Sequence, residues 1–389
     1  MHKVKTIEQS KALNAWAKGG YCGSIIAGTG FGKSRCGVLA ACYVIENVDK
    51  NETKHEPRAL VLVPTVQLQD QFREEFEKWD KIKHLEYVEI MCYQSAYKLV
   101  DQHYDIVICD EVHLGLSPQY RKFFENNKYD KLLCMTATMP EEEEYRKKLY
   151  ELAPVDYQIT IDKCVELGLV SPYEIHCIPV NLTDQEQEDY KKINNKFLYW
   201  KYQLGQFDAF NEAKRVLADK SASPQMKQAA AQFYNCIRSR KKVVDFAENK
   251  LYGLQKLAVQ HVGDKMLVFG GANEFTNKLA EAVDMFSTVY HSGRTKKQKE
   301  KALEDFKSGE KTILCSTKAL NQGFDVPDAS IGVICGLTSK SLSMIQRVGR
   351  LIRFQEDKIG KIYILYVKDS QEEKWLKSSV KKLKNVVWH

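Results

Sequence analysis

Three stretches of this 389-residue chain place reactive residue types at spacings that could act together. The first is Ala27-Gly28-Thr29-Gly30-Phe31-Gly32-Lys33-Ser34. Glycines let backbone N–H groups turn toward an anion, and the N-terminus of a following helix adds positive potential there. In such a loop Lys33 reaches the β- and γ-phosphates of a nucleotide and the Ser34 hydroxyl holds Mg²⁺. Ala27 stands where the strict Walker pattern has Gly, so the flanks decide the meaning of the string. The second stretch is Asp110-Glu111-Val112-His113. Asp110 can hold Mg²⁺ through water, and Glu111 can orient or deprotonate an attacking water. The third contains Gln346, Arg350 and Arg353 in QRVGRLIR. Arg350 and Arg353, three apart on a helix, project from one face and can clamp a γ-phosphate from an opposing domain. Gln9 is a further candidate, because an amide that donates and accepts at once can read an adenine edge.

The elements that must position these residues are legible as apolar runs. Ser24-Ile25-Ile26 reads as a buried strand before the glycine loop, and Cys36 to Ile45 as the helix after it. Arg58 to Pro64, Tyr104 to Cys109 and Leu132 to Met135 are further strands, with a helix from Leu68 to Trp79. Fully apolar strands alternating with helices predict a parallel sheet covered on both faces. Ligands of such sheets sit at the carboxyl ends of the strands. The acidic pair ends one strand, and Thr136 and Thr138 end another, where their hydroxyls can hydrogen-bond it. Residues 154 to 172, bounded by two prolines, read as an irregular crossover. A second set of strands follows at Tyr173 to Val180, Met266 to Phe269, Thr312 to Cys315, Ile331 to Cys335 and Lys361 to Val367. The fold class expected is α/β, with two parallel-sheet domains, residues 1–153 and 173–368, and a basic helical tail over 369–389.

Between the first two strands of the second set, residues 183 to 262 form a polar helical insert with 14 basic and 9 acidic residues. Its aromatics at helical spacing suit a small core of their own, and a nucleic-acid surface is the other reading. Arg238, Arg240, Lys241 and Lys242 make the run best suited to phosphate contact. The formal charge of +7, from 58 basic and 51 acidic residues, is compatible with nucleic acid without requiring it. Eleven cysteines show no Cys-x-x-Cys pair, hence no zinc or disulfide framework, which suits an intracellular protein, and the size of the chain suits a phage or bacterial origin. No signal-peptide apolar region and no run of 18 apolar residues is present, so no membrane role is expected.

The ordered set AGTGFGKS, VPTVQLQDQF, CYQSAY, DEVH, TATMP, LVFGG, HSG, STKALNQGFDVP and QRVGRLIR resembles superfamily-two helicases, across residues 6 to 368. The DEVH form is that of DExH members, and the spacing looks like the XPB and phage UvsW group of DNA helicases. The resemblance implies two RecA-like domains, with ATP and Mg²⁺ in the cleft between them and the helical insert in the second. It implies that Gln9 reads adenine, that residues 27 to 34 bind the nucleotide, and that Asp110 holds the metal while Glu111 is the base. His113 would couple the nucleotide to the Gln346 motif. Gly323 and Asp325 would approach the nucleotide from the second domain, where Arg350 and Arg353 act as fingers. Pro64, Thr65, Gln94, Ser95, His291, Ser292 and Thr317 match positions near a nucleic-acid backbone. Gln322 departs from the Glu of many members. The implied activity is an ATP-dependent helicase or translocase on branched or forked DNA, working as a monomer. An RNA-directed helicase and a nucleotide-gated remodelling subunit are the alternatives.

Overall fold

The structure is a computed structural model that describes residues 2–28, 30–48, 55–137, 139–140, 142–169, 172–205, 208–317, 329–337, 359–381 and 383–389. Among these, two sheets account for the strands. The first comprises β1 (Cys22–Ala27), β2 (Ala59–Val63), β3 (Val88–Cys92), β4 (His103–Asp110), β5 (Lys128–Thr136) and β6 (Val155–Ile159). Its order is β3-β2-β4-β5-β1-β6, and the described pairings are parallel. The second comprises β7 (Tyr173–Val180), β8 (Met266–Phe269), β9 (Ser287–Tyr290), β10 (Ile313–Ser316), β11 (Ile331–Ile334), β12 (Gly360–Val367) and β13 (Val386–Trp388). Its order is β13-β7-β12-β11-β8-β10-β9, again with parallel pairings.

Alternation within the apolar strands fills both faces of each sheet. In the first sheet Ile25, Val61, Val63, Ile106, Ile108, Leu133 and Met135 enter one core cluster. Their neighbours Ile26, Leu60, Leu62, Val107, Cys109, Leu132 and Cys134 enter another. A strand buried on both sides has no polar face to show, which is why it reads as an unbroken apolar run. Helix Lys33–Asn47 lies against this sheet, and close approach matters at Gly37, where a Cβ would meet Phe72 at 2.9 Å and Met135 at 3.1 Å.

The insert is helical, over Asp184–Gln203, Ala209–Ala218, Pro224–Asp245 and Glu248–Gln260. The first three helices enclose a core of Leu204, Ala213, Val216, Ala230 and Phe233. The fourth sends Leu254 and Leu257 into the core of the second sheet.

Two expectations are corrected. The crossover over 154–172 is not irregular: it contains β6, which pairs with β1, and a helix at Ile161–Glu166 capped by Thr160. The tail is not wholly helical: after helix Gln371–Val380 it forms β13, which pairs with β7. Both strands lie at sheet edges and are only partly buried; β6 mixes polar with apolar residues and β13 is only three residues long, so neither reads as a central strand.

Candidate active site

The glycine loop leaves the carboxyl end of β1 and enters helix Lys33–Asn47. Gly30 (φ 91°) and Gly32 (φ 90°) take left-handed backbone that glycine alone adopts without strain. Gly28 and Phe31 are buried, and Lys33 Nζ donates to the Ala27 carbonyl at 2.8 Å. Ser34 is in the first turn of the helix. Thr29 lies outside the described residues.

Gln9 is almost wholly buried against this loop. Its Nε2 donates to the carbonyls of Phe31 (2.8 Å) and Gly32 (3.3 Å), and its Oε1 accepts from Arg35 Nη1 at 2.6 Å. A Cβ at Gly32 would fall 2.3 Å from Gln9 Nε2, so glycine is required there on two counts. The adenine reading of Gln9 is thereby narrowed, since its amide nitrogen already donates to two loop carbonyls.

The acidic pair sits at the end of β4, separated from β1 by β5 in the sheet. Tyr93, fully buried, donates to the Asp110 carbonyl at 2.9 Å, and the Val112 N–H donates to the Met135 carbonyl. Glu111 has φ 50°, a left-handed conformation for a side chain with Cβ, which costs about 1–3 kcal/mol and recurs at active sites. Glu111 Oε2 accepts from the Thr136 hydroxyl at 3.2 Å. His113 Nδ1 lies 3.4 Å from the same Glu111 oxygen and 3.3 Å from Thr136 Oγ1. A carboxylate only accepts, so the Thr136 hydroxyl donates to Glu111 and His113 Nδ1 is the donor in this triangle. Thr136 meets the expectation made for it, and Thr138 lies outside the described residues.

Electrostatics separate the two carboxyls. Burial, reinforced by the adjacent Glu111 charge, pushes Asp110 well above the carboxylate range. Burial also works against Glu111, but the His113 hydrogen bond and the Lys33 charge overcome it and hold that carboxyl low. Glu111 is therefore ionised near neutrality, as a base requires. A cation beside Asp110 would restore its charge. Mg²⁺ takes few protein ligands and keeps waters and phosphate oxygens. One carboxylate and one hydroxyl, Asp110 and Ser34, fit that demand, and no cluster of three or more metal-ligating side chains occurs among the described residues.

In the second sheet the expected positions also lie just beyond strand ends. His291 is buried after β9, accepting from the Gly293 N–H through Nδ1 (3.1 Å) and facing Asn277 Oδ1 with Nε2 (3.0 Å). Asn273 donates to the Ser292 hydroxyl at 3.3 Å and accepts from the Thr317 hydroxyl at 3.2 Å, joining the ends of β9 and β10. Sequence reasoning missed Asn273; its signal was its place at the start of a helix, after the strand and turn LVFGGA. In the first sheet Pro64 and Thr65 follow β2, and the exposed Gln94 and Ser95 follow β3. Gln322, Gly323, Asp325, Gln346, Arg350 and Arg353 lie outside the described residues.

The basic run of the insert is divided. Arg238 and Lys242 are exposed, but Arg240 packs 4.3 Å from the Phe197 ring centre and donates to the Tyr190 hydroxyl at 3.1 Å. Lys241 pairs with Asp245. Arg240 and Lys241 thus already have partners within the protein, while Arg238 and Lys242 of the same run stand exposed. The aromatics divide likewise: Phe233 is in the insert core with Phe197 and Trp200 against it, while Tyr199, Tyr202 and Phe210 are exposed.

Two parallel sheets, a phosphate loop on the first and a strand-end carboxylate pair beside it define a two-domain nucleotide hydrolase of the helicase kind. Family comparison agrees: residues 4–141 match the type III restriction enzyme res subunit, and residues 249–355 match the helicase conserved C-terminal domain. The chain belongs to the superfamily-two helicases, ATP-hydrolysing enzymes, and is XPB-like. It is 24% identical over 367 residues to the DNA 3'-5' translocase XPB2 of Sulfurisphaera tokodaii, covering 89% of this chain and 77% of that protein. It is 23% identical to the DNA 3'-5' helicase XPB of Kineococcus radiotolerans, covering 94% of this chain and 60% of that one. The fold is that of the Pyrococcus furiosus Hef helicase domain, with TM-score 0.57 and 16% identity over 95% of this chain and 98% of the other. Among the described residues no helix is long and apolar enough to cross a membrane.

Proposed function

We propose that this chain is an ATP-driven DNA translocase that acts on forked or branched DNA as a single copy. The observation that carries the hydrolytic half is the Glu111 triangle. An ionised carboxylate, fixed by Thr136 and His113 and displaced into left-handed backbone, is placed to accept a proton from a water attacking phosphate. Lys33 would leave the Ala27 carbonyl for the phosphates. Mg²⁺, held by Ser34 and Asp110, would neutralise phosphate charge as the bond breaks. Arg350 and Arg353 would complete the site from the second domain, with Gly323 and Asp325 near the nucleotide and Gln346 as the partner coupled through His113.

The DNA half rests on the XPB-type relatives and on where polar residues gather. Thr65, Gln94, Ser95, His291, Ser292 and Thr317 all follow strand carboxyl ends, the side on which such sheets bind ligands. The exposed Tyr199 and Tyr202 share a helix segment, residues 190–203, that carries four lysines and no acidic residue. Stacking on aromatics beside cations suits a single strand.

ATP turnover measured with single-stranded DNA, duplex DNA, forked DNA and a matched RNA fork tests the proposal. The expected result is the strongest stimulation by the DNA fork, with strand displacement on it. A stronger response to the RNA fork would replace this reading with an RNA-directed helicase. Stimulation by duplex without displacement of any strand would replace unwinding by remodelling.

A further inference from the structure

Arg35, one residue beyond the phosphate loop, belongs to none of the motif positions discussed above. The central carbon of its guanidinium lies 4.1 Å from the centre of the Trp79 ring. The Trp79 indole N–H is itself held by Glu75 at 2.8 Å. From this platform Nη1 donates to Gln9 Oε1 at 2.6 Å and to the Thr6 hydroxyl at 3.0 Å. The Arg35 Nε is buried and has no hydrogen-bond partner among the described residues.

The network fixes which way the Gln9 amide faces. Arginine only donates, so Oε1 must face Arg35; the Phe31 and Gly32 carbonyls only accept, so Nε2 must face the loop. A flip would set oxygen against two carbonyl oxygens and NH₂ against a cation. With Nε2 held by two loop carbonyls, what Gln9 has left for a base is the second lone pair of Oε1. That lone pair accepts from an exocyclic amine, as on adenine or cytosine, and repels the carbonyl oxygen that guanine or uracil carries there.

We propose that Arg35, braced by Trp79, is the positioning residue that makes Gln9 an obligate acceptor and so sets the nucleobase preference of the site. The inference rests on the reading that this site binds nucleoside triphosphates. Loss of Arg35 frees the amide to rotate, letting it donate to a base carbonyl. Discrimination between bases therefore relaxes while hydrolysis persists.

KM and kcat for ATP, CTP, GTP and UTP in the full chain, in Arg35→Ala, in Arg35→Lys and in Trp79→Phe, provide the test. In the parent, KM for GTP and UTP should exceed that for ATP and CTP by about a hundredfold, because an acceptor set against a carbonyl oxygen loses its hydrogen bond. Arg35→Ala should reduce the ratio to within about tenfold, with kcat for ATP changed less than KM. Arg35→Lys should restore part of the ratio, since Lys also donates, and Trp79→Phe should keep most of it, since the ring remains. Thermal unfolding of each variant identifies any that has lost its fold, and Arg35→Lys then carries the test. An unchanged base ratio in folded Arg35→Ala, or an equal rise in KM for all four nucleotides, would overturn the inference and leave Arg35 as a loop brace. Failure of the parent to hydrolyse any nucleotide would instead overturn the function proposed above.

Discussion

The phosphate-loop edge of the first sheet and the helical insert of the second domain are built on different terms. At the sheet edge, backbone geometry is forced: Gly30, Gly32 and Glu111 hold positive φ, and Gln9, Thr136 and Tyr93 are buried with their polar atoms engaged. In the insert, the helices are ordinary and well capped, at Thr183 and Ser223, and pack a small apolar core. There the polar and aromatic groups that could meet a ligand, Tyr199, Tyr202 and Arg238, stand on the surface. Chemistry on a phosphate demands atoms fixed to a fraction of an ångström, which burial supplies. Holding a strand of any sequence demands charge and stacking area, which a surface supplies.

Substitutions should therefore separate the two regions. Lys33→Ala is expected to have the largest effect, loss of measurable nucleotide binding in an equilibrium assay, because the phosphates lose a direct charge contact. DNA affinity without nucleotide should change little. Equal nucleotide affinity in this variant and the parent would remove the phosphate loop from the account.

Next in size is Phe233→Ala. Phe233 is nearly fully buried and stacks on Phe197 at 5.2 Å, so truncation should cost about 3–5 kcal/mol in unfolding of the insert. Basal ATP turnover should survive, because the loop and the acidic pair lie in the other sheet. A parallel loss of basal turnover would show that the two regions are one cooperative unit.

A smaller effect is expected from Tyr199→Ala and Tyr202→Ala. Each should weaken single-strand binding by about 1–3 kcal/mol if a base stacks on it. Arg238→Ala and Lys242→Ala should flatten the salt dependence of binding, whereas Arg240→Ala should act mainly through stability, since its guanidinium packs on Phe197. Unchanged DNA affinity in the tyrosine variants would return this face to bulk solvent.

The smallest expected effect is a pH dependence. Burial, with the charges of Arg294 and Lys299, holds His291 below the ordinary imidazole value. As pH falls the unfolded chain takes up the proton first, so the unfolded state binds more protons. The stability contributed by neutral His291 is complete above the ordinary value and is lost as pH falls toward the lower folded one. One group can contribute at most about 1.4 kcal/mol per pH unit to that slope. Denaturant unfolding of the parent and His291→Gln between pH 7 and 5 should show the shallower slope in the variant. Identical slopes would contradict the burial assigned to His291.

What the sequence revealed follows the same division. The central strands β1, β2, β4 and β5 were legible because burial on both faces leaves an apolar run. The edge strands β3, β6, β9 and β13 were not: each is only partly buried, β3, β6 and β9 mix polar with apolar residues, as in Val88-Glu89-Ile90-Met91-Cys92, and β13 is only three residues long. The phosphate loop and the acidic pair could be read because each is a local string whose chemistry depends on its own spacing. Arg35 on Trp79, and Asn273 between Ser292 and Thr317, could not, because their partners come from distant segments brought together by the fold. The basic run of the insert was legible only in part for a related reason: composition marks Arg240 and Lys241 as cations without telling that Tyr190, Phe197 and Asp245 engage them.

The central claim is that Glu111, held by Thr136 and His113, is the base for hydrolysis. The most direct measurement pairs equilibrium ATP affinity with single-turnover ATP cleavage in Glu111→Gln, which keeps the size and the hydrogen-bonding oxygen but cannot take the proton. The account predicts affinity within a few fold of the parent and cleavage slower by about 10²–10⁴-fold. Cleavage at the parental rate would contradict it and assign the proton to another group.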